Sequence, residues 1–254
     1  MTFHVEHSVQ TSEDRIPRDL QIRSVLTKNG LRLDDWQWRS LERFSELLLD
    51  WNQRINLLSR RDAGLIWEHH ILHSLAPLFF ISFRKLNCIV DAGTGGGLPG
   101  VPLAIALPDV RFVLVDSIEK KTKAVRAMAE NLRLENVTVI RSRLEEMKNT
   151  DGGEADGVIT RAFAPLCDIL RWTKHLLAPV TEGEEKDADG KLVIPPGSLI
   201  VLKGGDVTDE INQARRIAPR IAVNEIALTF RGSEMLSAND KKILIINPGK
   251  KVNA

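Results

Sequence analysis

The ten residues Asp91-Ala-Gly93-Thr-Gly95-Gly96-Gly97-Leu98-Pro99-Gly100 constrain this chain more than any other stretch. They follow a β-branched run, Cys88-Ile-Val-Asp91, and lead into an apolar helical pattern over 101–107. Glycines packed this densely are costly to order, and they let the backbone turn sharply and approach a ligand with no Cβ in the way. A strand that feeds such a loop and then a helix places it at the carboxyl end of an open α/β sheet, where ligands bind.

The flanking pattern agrees. Short strand-like runs at 88–91, 111–116, 137–140, 156–160 and 198–203 alternate with helical patterns at 101–107, 118–132, 144–148, 166–177 and 206–217. Alternation of this kind predicts a parallel sheet covered on both faces. Val223–Thr229 and Lys242–Asn247, joined by a connection carrying Gly232 and Ser233, predict a closing hairpin. Before Lys85 the texture is helical. Leu41, Phe44, Leu48, Trp51, Ile55 and Leu58 form one stripe of a long helix, with Asp34 and Gln37 as a capping box. Residues 17–28 and 62–83 also read as helices, and no strand is expected there. The predicted organisation is a helical cap over 1–84 and a ligand-binding α/β domain over 85–254. The acidic, Pro-ended segment 181–196 reads as a mobile surface insertion, at most a small hairpin, with no chemistry assigned.

Composition excludes several classes. The formal charge is +1, with 35 Lys and Arg against 34 Asp and Glu, so a polyanion partner must meet a local patch. The greasiest stretch, Leu75 to Phe83, is short and contains Pro77, which argues against membrane spanning, and the amino-terminal residues lack a secretory core. Cys88 and Cys167 lie in separate apolar segments, as reduced core thiols do. The expectation is a cytoplasmic protein.

Two cofactor classes fit the loop. Gly95, Gly97 and Gly100 satisfy the dinucleotide spacing, which keeps a nucleotide-dependent oxidoreductase open. Asp91, at the strand end where a dinucleotide fold keeps an apolar residue, suits the cationic side of S-adenosylmethionine better than a pyrophosphate. Asp116 ends the second strand and can accept the ribose hydroxyls of either cofactor, with Ser117 beside it. Leu144 and Glu145, after the third strand, can frame adenine, although acids also favour the helical start found there.

Longer strings carry a resemblance. Trp51-Asn-Gln-Arg-Ile-Asn56-Leu57, Glu68-His69-His70-Ile-Leu-His73-Ser74-Leu75, the loop continuing to Pro102-Leu103, Val115-Asp116-Ser117, Leu134-Glu-Asn136-Val, Thr160-Arg161-Ala-Phe-Ala164 and Leu202-Lys203-Gly204 run through most of the chain. In these it resembles the glucose-inhibited division protein B family, methyltransferases that modify guanine N7 in small-subunit ribosomal RNA. The resemblance implies a class I, Rossmann-like fold with a seven-stranded, mostly parallel sheet and an N-terminal helical cap. It also implies cofactor contacts at Gly93, Leu98, Leu144, Glu145 and Arg161. The chain departs from the family at Leu58-Ser59 and at His73, and the insertion over 181–196 is longer than expected.

What is missing narrows the chemistry. The Asn or Asp before two prolines that accompanies methylation of exocyclic amines is replaced by Thr160-Arg161-Ala-Phe163, and both cysteines read as core, which disfavours pyrimidine carbon methylation. Guanine N7 carries no proton and needs no base. Arg161 is expected at the junction of cofactor and substrate, in an orienting role. Lys203 is expected near RNA phosphate, its alternative being an ordinary strand-end lysine. Arg54, Arg60 and Arg61 form the expected RNA footprint on the cap, joined by Asn56 and His70. A second basic group, Lys120, Lys121, Lys123, Arg126, Arg141 and Arg143, is diluted by acids. His69 and His73 lack the metalloprotease order, so no metal is assigned. The partner expected is small-subunit rRNA or the small ribosomal subunit, met by a monomer. A small-molecule methyltransferase, a nucleotide-dependent oxidoreductase and, as a poorer fit, a non-catalytic RNA-binding module are the remaining competitors.

Overall fold

Five apolar runs too short for helices line up as the parallel part of one sheet. The computed structural model describes residues 17–59, 62–147, 155–161, 164–178, 185–236 and 240–247. Its strands are β1 (Cys88–Ala92), β2 (Arg111–Asp116), β3 (Val137–Arg141), β4 (Gly157–Arg161), β5 (Ser198–Lys203), β6 (Ala222–Ala227) and β7 (Lys242–Asn247). They form a seven-stranded sheet in the order β3-β2-β1-β4-β5-β7-β6, with β7 antiparallel to both neighbours. The expected closing hairpin is thus present, with its second strand inserted beside β5.

Alternation along each strand divides the side chains between two apolar layers. Ile89, Phe112, Leu114, Ile159, Ile200, Leu202, Ile243 and Ile245 share one core with α1 (Arg18–Lys28), α2 (Asp35–Arg54), α3 (Gly100–Ala106) and α4 (Glu119–Asn131). Cys88, Val90, Val113, Val158, Leu199, Val201 and Leu244 face α5 (Leu166–Thr173) and α6 (Thr208–Ile217). The cap therefore packs on the first of these faces.

Asp34 caps α2 as expected: its Oδ1 accepts from Gln37 N at 2.8 Å, and Gln37 Oε1 accepts from Asp34 N at 2.9 Å. The apolar stripe was expected to continue to Leu58, but the helix stops at Arg54 and Ile55 is extended, with φ −139° and ψ 146°. Asn52 explains the stop. Its Oδ1 accepts from Leu57 N at 2.9 Å and Leu58 N at 2.8 Å, offering those amides a partner outside the helix.

The expected helix over 62–83 is broken into pieces. A 3-10 turn at Ala63–Leu65, a π-helical turn at Trp67–Leu72, one α turn at His73–Leu75 and a second 3-10 turn at Ala76–Phe79 succeed one another. A short strand at Ile81–Ser82 follows, where none was expected. It pairs in parallel with Leu192–Val193, which pairs antiparallel with Glu185–Lys186. The insertion is thus a small hairpin docked on the cap's exit, held also by Arg84 and Lys85 against Glu185. Residues 181–184 and Lys148, at the end of the expected 144–148 helix, lie outside the described residues.

Asn136 ties the start of β3 to the end of α3. Its Nδ2 donates to the carbonyls of Ala104 at 3.0 Å, Leu107 at 3.3 Å and Val110 at 3.0 Å. Asn136→Ala removes this donor from three half-buried carbonyls, of which Leu107 O keeps Val110 N at 3.1 Å, so urea denaturation is expected to show a loss of about 1–3 kcal/mol. A loss below about 0.5 kcal/mol, the level of an ordinary surface change, would count against this role.

Candidate cofactor and substrate site

The glycine loop is organised from below by Asp91. This side chain is 0% exposed, and its Oδ2 accepts from Thr94 Oγ1 at 2.7 Å and from Gly100 N at 2.9 Å. The bonds pin the end of β1 to the first turn of α3. Close approach explains Gly100: a Cβ there would stand 2.2 Å from Leu114 Cδ2 and 2.6 Å from Asp91 Oδ2. The expectation that Asp91 faces the cationic end of a cofactor is corrected here, since its bonded oxygen is committed to the loop. Burial, the largest cause, pushes its pKa up to about 6, and Oδ1 has no hydrogen-bond partner among the described residues.

Asp116, at the end of β2, takes the exposed side of the same loop. Its Oδ2 accepts from Gly95 N at 3.1 Å and its Oδ1 from Ile118 N at 2.9 Å, leaving lone pairs on both oxygens. It lines a cleft of ≈ 200 Å³ with Gly93, Ser117, Leu144 and Glu145. Gly93 has φ 72°, a conformation that a side chain would strain. Five of the predicted cofactor residues therefore meet around one opening. Trp172 of α5 forms a further wall and was not foreseen. Its signal is faint, a half-buried aromatic one position from the buried face of an otherwise ordinary amphipathic helix. Leu98 and Gly97 are not among the residues lining this cleft: Leu98 is buried in the cap-side core, and Gly97 lies against Val101 and Phe44. A larger cavity of ≈ 460 Å³ sits at the amino ends of β1 and β2, beside Leu86 and Val110. Ligands of open α/β sheets bind at the other end, where the glycine loop and Asp116 stand.

Arg161 ends β4 next to Asp91 and beneath the cap. Its Nη1 donates to His69 O at 3.2 Å and its Nη2 lies 2.9 Å from His70 Nδ1. A guanidinium only donates, so His70 Nδ1 is the acceptor and its imidazole is neutral with the proton on Nε2. Burial first, and the charge of Arg161 second, push the His70 pKa down to about 3. The predicted contact of His70 with RNA is corrected accordingly: the residue is buried and serves Arg161. His73 behind it is held far below the usual imidazole range by burial, then by Arg161 and Lys241. Burial draws Arg161 down to about 10, opposed by the negative charge of Asp91. His69 Nδ1 bonds Asp62 Oδ1 at 3.0 Å, which is the main reason the Asp62 carboxyl lies below its ordinary value.

Lys203 departs from expectation. Its Nζ donates to Ala164 O at 3.0 Å and to Glu210 Oε1 at 3.1 Å, and only 13% of the side chain is exposed. It holds α6 on the face away from the cap, which removes it from the RNA contacts. Arg54 is exposed at the end of α2, paired with Asp50 at 2.9 Å and 5.5 Å over the Trp51 ring, and Asn56 is exposed just beyond. Arg60 and Arg61 lie outside the described residues. In the second basic group, Lys123 and Arg141 both pair with Glu119, at 2.9 and 3.0 Å.

The family profile of GidB, rRNA small subunit methyltransferase G, matches residues 37–183, more than half of the chain. This chain belongs to the GidB family. The ribosomal RNA small subunit methyltransferase G of Christiangramia forsetii is 41% identical over 191 residues, covering 75% of this chain and 84% of that protein. Its counterpart from Bacteroides fragilis strain ATCC 25285 is 39% identical over 186 residues, covering 73% and 84%. The crystal structure of the O-methyltransferase TomG from Streptomyces achromogenes, a complex with SAM, is similar in fold: TM-score 0.50 at 16% identity, over 91% of this chain and 96% of that one. Membership in the GidB family makes the chain a class I enzyme dependent on S-adenosylmethionine, and the dinucleotide reading of the glycines falls. Its GidB cleft fits that cofactor: Gly93 leaves its wall without a Cβ, Leu144 and Trp172 offer apolar surface, and Asp116 keeps free lone pairs.

Gly100→Ala must displace either Leu114 or Asp91 and is expected to cost roughly 1–3 kcal/mol in urea denaturation, the usual penalty of overpacking. A pH experiment tests the imidazole. His70 titrates near 3 in the folded protein against an ordinary 6.5, so between those values only the unfolded chain holds the proton. Stability therefore rises with pH through that window and is lost on acidification. His70→Gln, which still offers Arg161 an acceptor, is expected to lower the slope of unfolding free energy against pH by up to about 1.4 kcal/mol per pH unit between pH 4 and 6. An unchanged slope would mean that His70 is protonated in the fold.

Proposed function

We propose that this protein transfers the methyl group of S-adenosylmethionine to N7 of a guanine in small-subunit ribosomal RNA, as a cytoplasmic monomer acting on the RNA or the small subunit. Family membership supports the RNA class. The observation that supports the atom is the end of β4, where a half-buried guanidinium stands in place of an acid and two prolines.

S-adenosylmethionine supplies a methyl group made electrophilic by its sulfonium. The chain's task is alignment, because an in-line displacement gains most from holding its reactants in contact. Asp116 would accept the ribose hydroxyls, Leu144 and Trp172 would enclose the adenine, and Ser117 and Glu145 would border it. Arg161 has two of its five N–H donors engaged by the cap, and the rest can bind the methionine carboxylate or the O6 edge of guanine. N7 offers a free lone pair and loses no proton, so no base is required. Residues 1–84 would then act as the RNA-receiving cap and 85–254 as the transferring domain, with Arg54, Arg60, Arg61 and Asn56 facing phosphate.

Labelled S-adenosylmethionine, given with small subunits or stripped RNA from cells lacking the enzyme, is expected to yield one N7-methylguanine by mass spectrometry. Methyl on any other atom would overturn the assignment. Asp116→Ala removes a charged acceptor worth about 1.5–3 kcal/mol, so calorimetry is expected to show cofactor binding weakened roughly tenfold or more. Arg161→Ala is expected to lower methyl transfer in a protein that still melts cooperatively; full activity would confine Arg161 to structure.

A further inference from the structure

Three lysines crowd the carboxyl edge of β5 and the adjoining end of β7, and only two have work in the fold. Lys203 meets Glu210, and Lys242 meets Glu225, each at 2.8 Å. The third, Lys241, makes no side-chain hydrogen bond or ion pair among the described residues, though it is half-buried and its carbonyl is fixed by Leu228 N at 2.8 Å. Its ammonium therefore has no counter-charge within the described fold and is free to take an anion from outside it.

Register shows which way it faces. Lys242 stands opposite Lys203, and the side chains of Leu244 and Ile246 enter the α5–α6 core, whereas Ile243 and Ile245 enter the cap-side core. By the same alternation Lys241 projects to the cap side, as Asp91 does after Ile89 and Arg161 after Ile159. Two observations agree: its Nζ lies 3.4 Å from where a Cβ of Gly204 would stand, and its charge acts with that of Arg161 on buried His73. Glycine at 204 leaves room for the ammonium over the strand end.

We infer that Lys241 binds a backbone phosphate of the RNA substrate, holding the target nucleotide over the cap-side edge beyond Arg161. The inference rests on the RNA reading above. The strand order favours phosphate over the cofactor's own carboxylate: neighbouring strands lie about 4.8 Å apart, so β7 is roughly 10 Å past β4 and roughly 20 Å from Asp116 on β2. Lys241 lies on the side of Arg161 away from the nucleoside cleft, where an incoming substrate would be met.

Full-length wild type, Lys241→Ala and Lys241→Arg should be compared on small-subunit RNA, measuring KM for RNA, RNA affinity against salt, and cofactor affinity by calorimetry. For Lys241→Ala the KM for RNA should rise about tenfold, the scale of one charged hydrogen bond. The slope of log affinity against log salt should shrink by roughly one, with cofactor affinity unchanged. Lys241→Arg should restore both RNA readouts. Wild-type KM and salt slope in Lys241→Ala would overturn the inference while leaving the RNA reading intact. A loss of cofactor affinity instead would assign Lys241 to the carboxylate and overturn it too. Failure of the wild type to methylate RNA would remove the RNA reading, and this inference with it.

Discussion

A single buried carboxylate sets the geometry on which the site depends. Asp91 reaches from the end of β1 to the amide of Gly100 and the hydroxyl of Thr94, closing the glycine loop into a fixed bend. The bend presents Gly95 N to Asp116, which joins the loop to the end of β2, and leaves Gly93 in the cleft wall. The arrangement is electrostatically expensive. A carboxylate removed from water titrates near 6, and the guanidinium of Arg161 nearby is the opposite charge that draws it back toward ionisation. Loop, cleft and Arg161 are therefore coupled through one residue that no ligand needs to touch.

The cap completes this network. Arg161 is held by His69 O and His70 Nδ1, both on the π-helical turn at 67–72, so the cap supplies the acceptors that aim a group rooted in the sheet. A π turn widens the helix by one residue and is frequent at functional sites. Here it brings one carbonyl and one ring nitrogen to the same guanidinium. A displacement of the cap would release Arg161, so the position of the cap and the aim of this guanidinium are physically linked.

The elements readable in the sequence were those set by local pattern. Strand–helix alternation yielded the five parallel strands, the closing-hairpin pattern the last two, and the spacing of Asp34 and Gln37 the cap of α2; Asp116, read as a strand-end carboxylate beside the glycine loop, stands at the end of β2 and lines the cleft. The failures share a cause, competition by a partner distant in sequence or by a side chain whose direction is not written in the periodicity. Asn52 ended α2 by capturing two amides beyond it. Ile81–Ser82 became a strand only because Leu192–Val193 was there to pair with it. Asp91 and Lys203 were recognised as important but assigned to ligands, because nothing in a linear reading shows that Gly100 and Glu210 take those charges. The glycine at 100 was a partial clue, since a position that excludes a Cβ implies something close above it.

Strand order also divides the labour in a way that suits the proposed reaction. The residues proposed for the nucleoside gather at β2 and after β3, the guanidinium proposed to orient the substrate ends β4, and an ammonium unpaired among the described residues stands before β7, so the proposed roles run across the carboxyl edge in one direction. The imidazoles of His70 and His73 are kept neutral by burial next to that edge. A site that had to remove a proton from its nucleophile would need a group titrating near neutrality. Here Asp91, among the described residues the one buried carboxylic acid raised toward that range, has an oxygen spent on the loop. Such an edge can hold and orient a nucleophile, and guanine N7, the acceptor proposed above, brings its own lone pair and has no proton to lose.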